Sequence, residues 1–267
     1  MRRLVLVPTP IGNLADVTLR ALEVLREAEV VACEDTRRTA KLLRHYGITT
    51  PLQRLDQHTM DRADRLLEEH SYIAYASDAG TPGISDPGAG LVELALQKGF
   101  HVEALPGPTA FVPALVASGL PVARFVFEGF LPGGRARKRR LAILAREERT
   151  VVLYEAPHRL ARTLADLAEI YGPGHPVALA RELTKKHEEI WRGSLADARE
   201  HFAQPRGEFV LVLAPREPVA EARPDAAELA AELAATGLSG RALAEALEAR
   251  GVSRNEARQA AYRKEKT

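Results

Sequence analysis

Tyr72-Ile73-Ala74-Tyr75-Ala76 runs directly into Ser77–Gly90, SDAGTPGISDPGAG. The first five residues read as a buried strand, and the next 14 hold four glycines and two prolines. Glycine permits positive φ and close backbone approach to a ligand, while proline stiffens the path. An ordinary tight connection needs fewer glycines. Asp78 and Asp86 add carboxylates that can accept hydrogen bonds from ribose hydroxyls or an amine. Ligands of α/β sheets bind beyond the C-terminal ends of strands, which is where this loop lies.

The same arrangement recurs on either side. Pro8-Thr9-Pro10-Ile11-Gly12-Asn13-Leu14 follows the apolar run Leu4–Val7, and Pro106-Gly107-Pro108-Thr109-Ala110 follows His101–Leu105. Three stiff small-residue loops at one sheet edge predict a preformed small-molecule cleft. Neither G-x-G-x-x-G after the first strand nor G-x-x-x-x-G-K-[ST] occurs, so the dinucleotide and P-loop sites are not supported.

Further strands are expected at Val30–Cys33, Phe125–Glu128, Val151–Tyr154, Val177–Ala180, Glu189–Arg192 and Phe209–Leu213. Helical patterns such as Thr18–Ala28 and Thr36–Tyr46 lie between them, the second with Thr36 as its cap. Such alternation predicts α/β architecture with largely parallel sheets. A break at Gly119–Pro121 divides an N-terminal α/β domain (1–119) from a second (120–215). Past Pro215, Pro218 and Pro224 the sequence turns Ala/Glu/Leu/Arg-rich, and 224–267 reads as a helical extension. Its helices are Asp225–Ala235, Ser239–Ala249 and Ser253–Tyr262, with Ser239 and Ser253 at cap positions. This helix-turn-helix-like tail suits packing, dimerisation or RNA contact.

Hydrophobic residues at 46% and charged residues at 27% exclude long-range disorder. The single cysteine, Cys33, excludes an internal disulfide and a Cys-based zinc site. No metal is expected. No stretch approaches the ~20 apolar residues that span a bilayer, so no membrane is expected and a cytoplasmic location fits. A net charge of +1 argues against a wholly basic protein, yet the charge is unevenly spread. Between Arg124 and Arg149 eight basic residues face three acids. Five of them, Arg135, Arg137, Lys138, Arg139 and Arg140, are nearly continuous. Cations opening a helix are mildly unfavourable, and phosphate contact is one offsetting reason; a solvated helix face is the other reading. Only 7 Phe, 6 Tyr and 1 Trp are present, too few to favour stacking on a free strand over recognition of a shaped RNA surface.

Eight motifs occur in order: TPIGNL (Thr9–Leu14), EDTR (Glu34–Arg37), SDAGTPGISDP (Ser77–Pro87), PGPTA (Pro106–Ala110), FEGFLP (Phe127–Pro132), YEAPHR (Tyr154–Arg159), ARELTKKHEE (Ala180–Glu189) and GEFVLV (Gly207–Val212). Together they resemble the bacterial small-subunit rRNA cytidine-2′-O-methyltransferases, a branch of the tetrapyrrole-methylase superfamily. The likeness covers residues 4–213 well and the tail loosely. It implies two α/β domains with an S-adenosylmethionine cleft between them, a homodimer, and 16S rRNA or the small ribosomal subunit as partner. It also implies cofactor contacts from Pro10, Asp78, Ala79, Gly80, Thr81, Ile84, Thr109, Ala110, Glu155, Leu183, Glu208 and Val210. Thr81 stands where the superfamily often has an acid. Asp56-Gln57-His58-Thr59-Met60 keeps only His58 of a common His-x-His-Asn run.

The family's reaction moves a methyl group from a sulfonium to a ribose 2′-oxygen, a task of alignment helped by a base worth ~10²–10⁴ in rate. Asp35, Glu155, His158 and Glu182 are the candidates for that base, with the choice falling among Glu182, His158 and Asp35. Arg37, Arg159, Arg181 and Lys185 are candidates for holding phosphate or a forming alkoxide. The competing reading makes the acid-and-base runs surface ion pairs and His158 a helix cap. RNA contact would fall to Arg37, Arg135, Arg137, Lys138, Arg139, Arg140 and Arg159. Two other functions fit less: a tetrapyrrole or diphthamide-pathway methyltransferase, and a non-catalytic RNA-binding assembly factor.

Overall fold

The computed structural model describes residues 1–56, 62–84, 88–216 and 226–262. The chain divides into two compact units, Met1–Pro215 and Arg216–Thr267.

The larger unit contains two five-stranded sheets. The first joins β1 (Arg3–Val7), β2 (Val30–Cys33), β3 (Leu52–Arg54), β4 (Tyr72–Ala76) and β5 (His101–Ala104) in the order β3-β2-β4-β1-β5. All its pairings are parallel. Such a sheet is covered on both faces, so its strands read as continuous apolar runs. In β1, Val5 and Val7 pack with α1 (Leu19–Glu27) and α2 (Thr36–His45), while Leu4 and Leu6 pack with α3 (Ala63–Glu69) and α4 (Gly88–Gln97). β3 was not expected; with one apolar residue in three, it carries too little pattern to read. Thr18 caps α1 by accepting from Ala21 N. The cap of α2 is Asp35, whose side chain accepts from Arg37 N, and not Thr36, which is the first helical residue.

α5 (Phe111–Ala117) leads to the second sheet: β6 (Phe125–Phe130), β7 (Thr150–Glu155), β8 (Pro176–Arg181), β9 (Glu189–Ser194) and β10 (Phe209–Leu213), ordered β6-β7-β10-β8-β9. Here the expectation of parallel strands fails, because only β6 and β7 run parallel. The short 182–188 connection returns β9 antiparallel beside β8, and β10 inserts between β7 and β8. α6 (Gly134–Leu144), α7 (Pro157–Tyr171) and α8 (Leu195–His201) supply the core on one face of this sheet. The other face, through Val152, Ala178, Ala180, Val210 and Val212, packs on Ala114 and Leu115 of α5, with Ile11 and Ala110 beside them.

The smaller unit holds α9 (Ala226–Ala235), α10 (Gly240–Ala249) and α11 (Arg254–Ala261). Leu233, Leu243, Leu247 and Val252 form its own core. Ser253 caps α11 with its side chain, whereas Ser239 occupies the cap position of α10 without a side-chain bond. The α/β reading with helices at the C-terminal end is borne out. No described helix is long and apolar enough to cross a membrane.

Candidate functional site

Register brings the three loops together. Val7 of β1 pairs with Ala76 of β4, and Leu6 pairs with Ala104 of β5, so the chain leaves all three strands at one edge. Thr9 and Gly80 then exchange both backbone hydrogen bonds at 2.9 Å. Thr9 Oγ1 donates to Ser77 O (3.0 Å), Ser77 Oγ donates to Gly80 O (2.8 Å), and Thr81 Oγ1 donates to Pro108 O (3.0 Å). Gly80 sits at φ +83°, a conformation L side chains rarely adopt. Asp78 reaches sideways, its Oδ1 accepting from Asp35 N at 2.9 Å.

The opposing wall comes from the second sheet. The 182–188 connection begins with Glu182 at φ +50° and Thr184 at φ +65°, both in the left-handed region that non-glycine residues avoid. Such strain clusters at functional sites because the surroundings over-determine it. The surroundings here are plain. Glu182 Oε1 accepts from Glu208 N (2.9 Å) and from Lys185 Nζ (2.8 Å), and Lys185 Nζ also donates to Glu208 Oε2 (2.9 Å). The bond from Lys185 holds the Glu182 carboxyl below its usual range, against partial burial. Burial alone would lower the Lys185 pKa, but the bonds to Glu182 and Glu208 outweigh it and raise the value. Burial also pushes the Tyr154 phenol up, opposed by its hydrogen bond with Thr109 across the cleft.

A cavity of about 350 Å³ lies between the two walls. Asp78, Ala79, Gly80, Thr81, Ile84, Thr109 and Ala110 line it from the first sheet, and Glu155, Leu183, Glu208 and Val210 from the second, with Glu182 and Lys185. Pro10, Asp35 and His158 are not in its lining. Ile11 takes the place read for Pro10. Asp35 caps α2 and is clamped by Arg37, Nε at 3.0 Å from Oδ1 and Nη2 at 2.8 Å from Oδ2; that pairing drives its carboxyl far below the usual range, which suits an anchor and not a base. His158 is exposed in the first turn of α7. Asp86 and His58 lie outside the described residues. Sequence reading missed Ile11, Glu34, Phe130 and Tyr154, although each stands in or beside a motif quoted above.

The tetrapyrrole (corrin/porphyrin) methylase family matches residues 3–199. The chain belongs to this family. Membership makes it a methyltransferase. Among curated relatives, a protein of Synechocystis is 49% identical over 234 residues, covering 84% of this chain and 82% of its own. One of Thermotoga maritima is 45% identical, covering 81% and 100%, and one of Escherichia coli O157:H7 is 43% identical, covering 95% and 92%. All three are named ribosomal RNA small subunit methyltransferase I. Solved tetrapyrrole methylases share the fold. A uroporphyrin-III C-methyltransferase of Thermus thermophilus superposes with a TM-score of 0.61 at 24% identity, covering 80% of this chain and 94% of its own. A structure of that enzyme complexed with S-adenosylhomocysteine gives 0.60 at 22%, covering 79% and 97%.

In this methylase the basic run forms α6, and its side chains divide. Arg135, Lys138 and Arg139 are exposed. Arg137 is 4% exposed and points inward, so assigning it to RNA is corrected: it is a core ion-pair residue. Helical spacing turns one residue of the run towards α7, where its Nε meets Asp166 Oδ2 at 2.6 Å. Arg140 is bonded to the nearly buried Glu128, and Arg159 to Leu131 O with Glu155 at 3.4 Å. Arg37 remains exposed beside Asp35.

Proposed function

We propose that the protein transfers a methyl group from S-adenosylmethionine to the 2′-hydroxyl of a cytidine in small-subunit rRNA, acting as a homodimer of two-lobed subunits. The observation that carries this reading is the 49% identity, over 84% of the chain, to a ribosomal RNA small subunit methyltransferase I. The cavity fits the cofactor. About 350 Å³ falls within the usual range for small-molecule sites. Its lining combines apolar side chains (Ile11, Ile84, Ala110, Leu183, Val210), matching adenine, with the carboxylates of Asp78 and Glu208, matching hydroxyl and amine donors. Bound there, S-adenosylmethionine supplies a methyl group already activated on a positively charged sulfur.

The chain's own residues then have three tasks. The loops bonded through Thr9, Gly80, Thr81 and Pro108 hold the site in one shape without a reorganisation cost. Glu182 accepts the proton leaving the 2′-hydroxyl, and Lys185, three residues on, stabilises negative charge developing on that oxygen. Both line the cavity, unlike Asp35 and His158. Arg135, Lys138 and Arg139 on α6, together with Arg37, offer phosphate contacts outside it.

The test is methyl transfer from labelled S-adenosylmethionine to small ribosomal subunits, naked rRNA and a tetrapyrrole in parallel. Label in the ribosomal substrate, at a ribose 2′-oxygen, is expected. Label in the tetrapyrrole alone would reverse the reading, and absence of cofactor binding by calorimetry would leave a non-catalytic RNA-binding protein.

A further inference from the structure

A second cavity, of about 340 Å³, adjoins the first and shares Ile11 and Thr109 with it. Its walls include Pro108, Val112 and Pro113, apolar surfaces suited to the face of a planar ring. Val112 is 42% exposed, which places this wall within reach of a molecule arriving from solvent.

Two polar atoms in this cavity's lining are out of keeping with a merely structural role. Asp16 Oδ2 and Thr184 Oγ1 are both buried, and among the described residues neither has a hydrogen-bond partner. Buried polar atoms in folded proteins are almost always satisfied, so each unsatisfied one requires an explanation. Thr184 adds a second anomaly, a β-branched residue held at φ +65°. It sits between Leu183 and Lys185, which line the first cavity, so the strained loop serves both spaces. The lining thus combines a carboxylate oxygen, a hydroxyl that can donate or accept, and apolar surface.

We propose that this second cavity receives the base of the acceptor nucleotide, and that Asp16 selects cytosine by accepting from its exocyclic amine while Thr184 donates to the adjacent ring nitrogen. A carboxylate is the natural partner of the cytosine amine. Uracil presents a carbonyl at that position, which the carboxylate cannot bond, whereas its neighbouring ring N–H can still donate to the Thr184 hydroxyl, so the discrimination falls on Asp16. The base enters unstacked from its neighbours, as in enzymes that act on extruded nucleotides. The inference rests on the RNA reading above and names the nucleotide subsite of the same reaction.

The test uses the full chain and two matched small-subunit RNAs, with cytidine or uridine at the methylated position. Methyl transfer is followed for wild type, Asp16→Asn and the near-isosteric Thr184→Val, with cofactor affinity measured by calorimetry and folding by thermal melting. Wild type is expected to prefer cytidine by at least tenfold. Asn at position 16 can donate to the uracil carbonyl, so Asp16→Asn should shift the cytidine-to-uridine ratio towards uridine by about ten- to a hundredfold with cofactor affinity unchanged. Thr184→Val should lower transfer to both RNAs, to cytidine by about tenfold, because the hydroxyl can bond either base at that ring position. A cytidine-to-uridine ratio unchanged in Asp16→Asn, or no loss on either RNA in Thr184→Val, overturns the proposal while leaving the RNA methyltransferase intact. Failure of wild type to methylate either RNA sinks the RNA reading itself, and the inference with it.

Discussion

Arg137 Nη2 donates to Thr163 Oγ1 at 2.8 Å, so the middle of the most basic run in the chain is tied to the protein interior. Thr163 Oγ1 in turn donates to Glu155 Oε2, and Glu155 lines the first cavity. A chain of bonds therefore joins the basic helix to the cofactor wall. Removing one partner of a buried ion pair leaves the other uncompensated. Because Asp166 is partly exposed and keeps Arg162 Nε at 4.0 Å, Arg137→Met should cost about 2 kcal/mol in urea unfolding, less than a fully buried pair. A loss below about 0.5 kcal/mol would show that the pair contributes nothing.

The outward residues of the same helix should behave oppositely. Replacing Arg135, Lys138 and Arg139 together by Ala removes up to three phosphate contacts, which lowers the salt slope of RNA binding by about 2. Stability should change by less than about 0.5 kcal/mol, since the three side chains are exposed. Cofactor affinity by calorimetry should not move. A fall in cofactor affinity equal to the fall in RNA affinity would mean that these cations support the cavity instead.

The contrast marks what was legible in the sequence. Strand positions and the convergence of three loops were readable because a buried parallel strand and a Gly/Pro-rich loop leave strong local patterns, as at Tyr72–Ala76 and Ser77–Gly90. The inward turn of Arg137 was not, because only Asp166 and Thr163 on another helix give it a reason. Nor was the antiparallel second sheet, since an apolar run such as Phe209–Leu213 does not reveal its direction. Asp35 reads as a candidate base until Arg37 is found clamped on it. Of the four candidates for the base, Glu155 and Glu182 line the cavity, and Glu182 reaches it together with Lys185 through a backbone conformation at Glu182 and Thr184 that residue types alone do not announce.

Two glycines permit close approach at the site, Gly12 between the two walls and Gly207 within the second. A Cβ on Gly12 would lie 2.4 Å from Lys185 Cγ and 3.1 Å from Leu183 O, the latter a backbone atom with little room to yield. A Cβ on Gly207 would lie 2.4 Å from Glu182 Cγ, and its φ of +83° is strained for any side chain. Gly12→Ala and Gly207→Ala should each weaken cofactor binding at least tenfold, about 1.4 kcal/mol, with the circular dichroism spectrum unchanged. Wild-type affinity in both would show that the loops yield freely and that close approach is not what shapes the site.

The Glu182–Lys185 pair makes the last prediction one of pH. Lys185 holds the Glu182 carboxyl below its ordinary pKa of 4.5. A carboxyl depressed in the folded state stabilises the fold fully above its unfolded pKa, and that contribution disappears as pH falls through the lower folded value. If Glu182 takes the proton, the acid limb of the rate profile also lies below 4.5 in wild type. In Lys185→Met the lowering bond is gone and partial burial remains, so the limb should move to higher pH. Glu182→Gln should abolish that limb and slow transfer by about 10²–10⁴ at neutral pH, with cofactor affinity kept within a few-fold. A rate profile of Lys185→Met that overlies wild type would remove Glu182 from the proton's path and leave the pair as a brace for the strained loop.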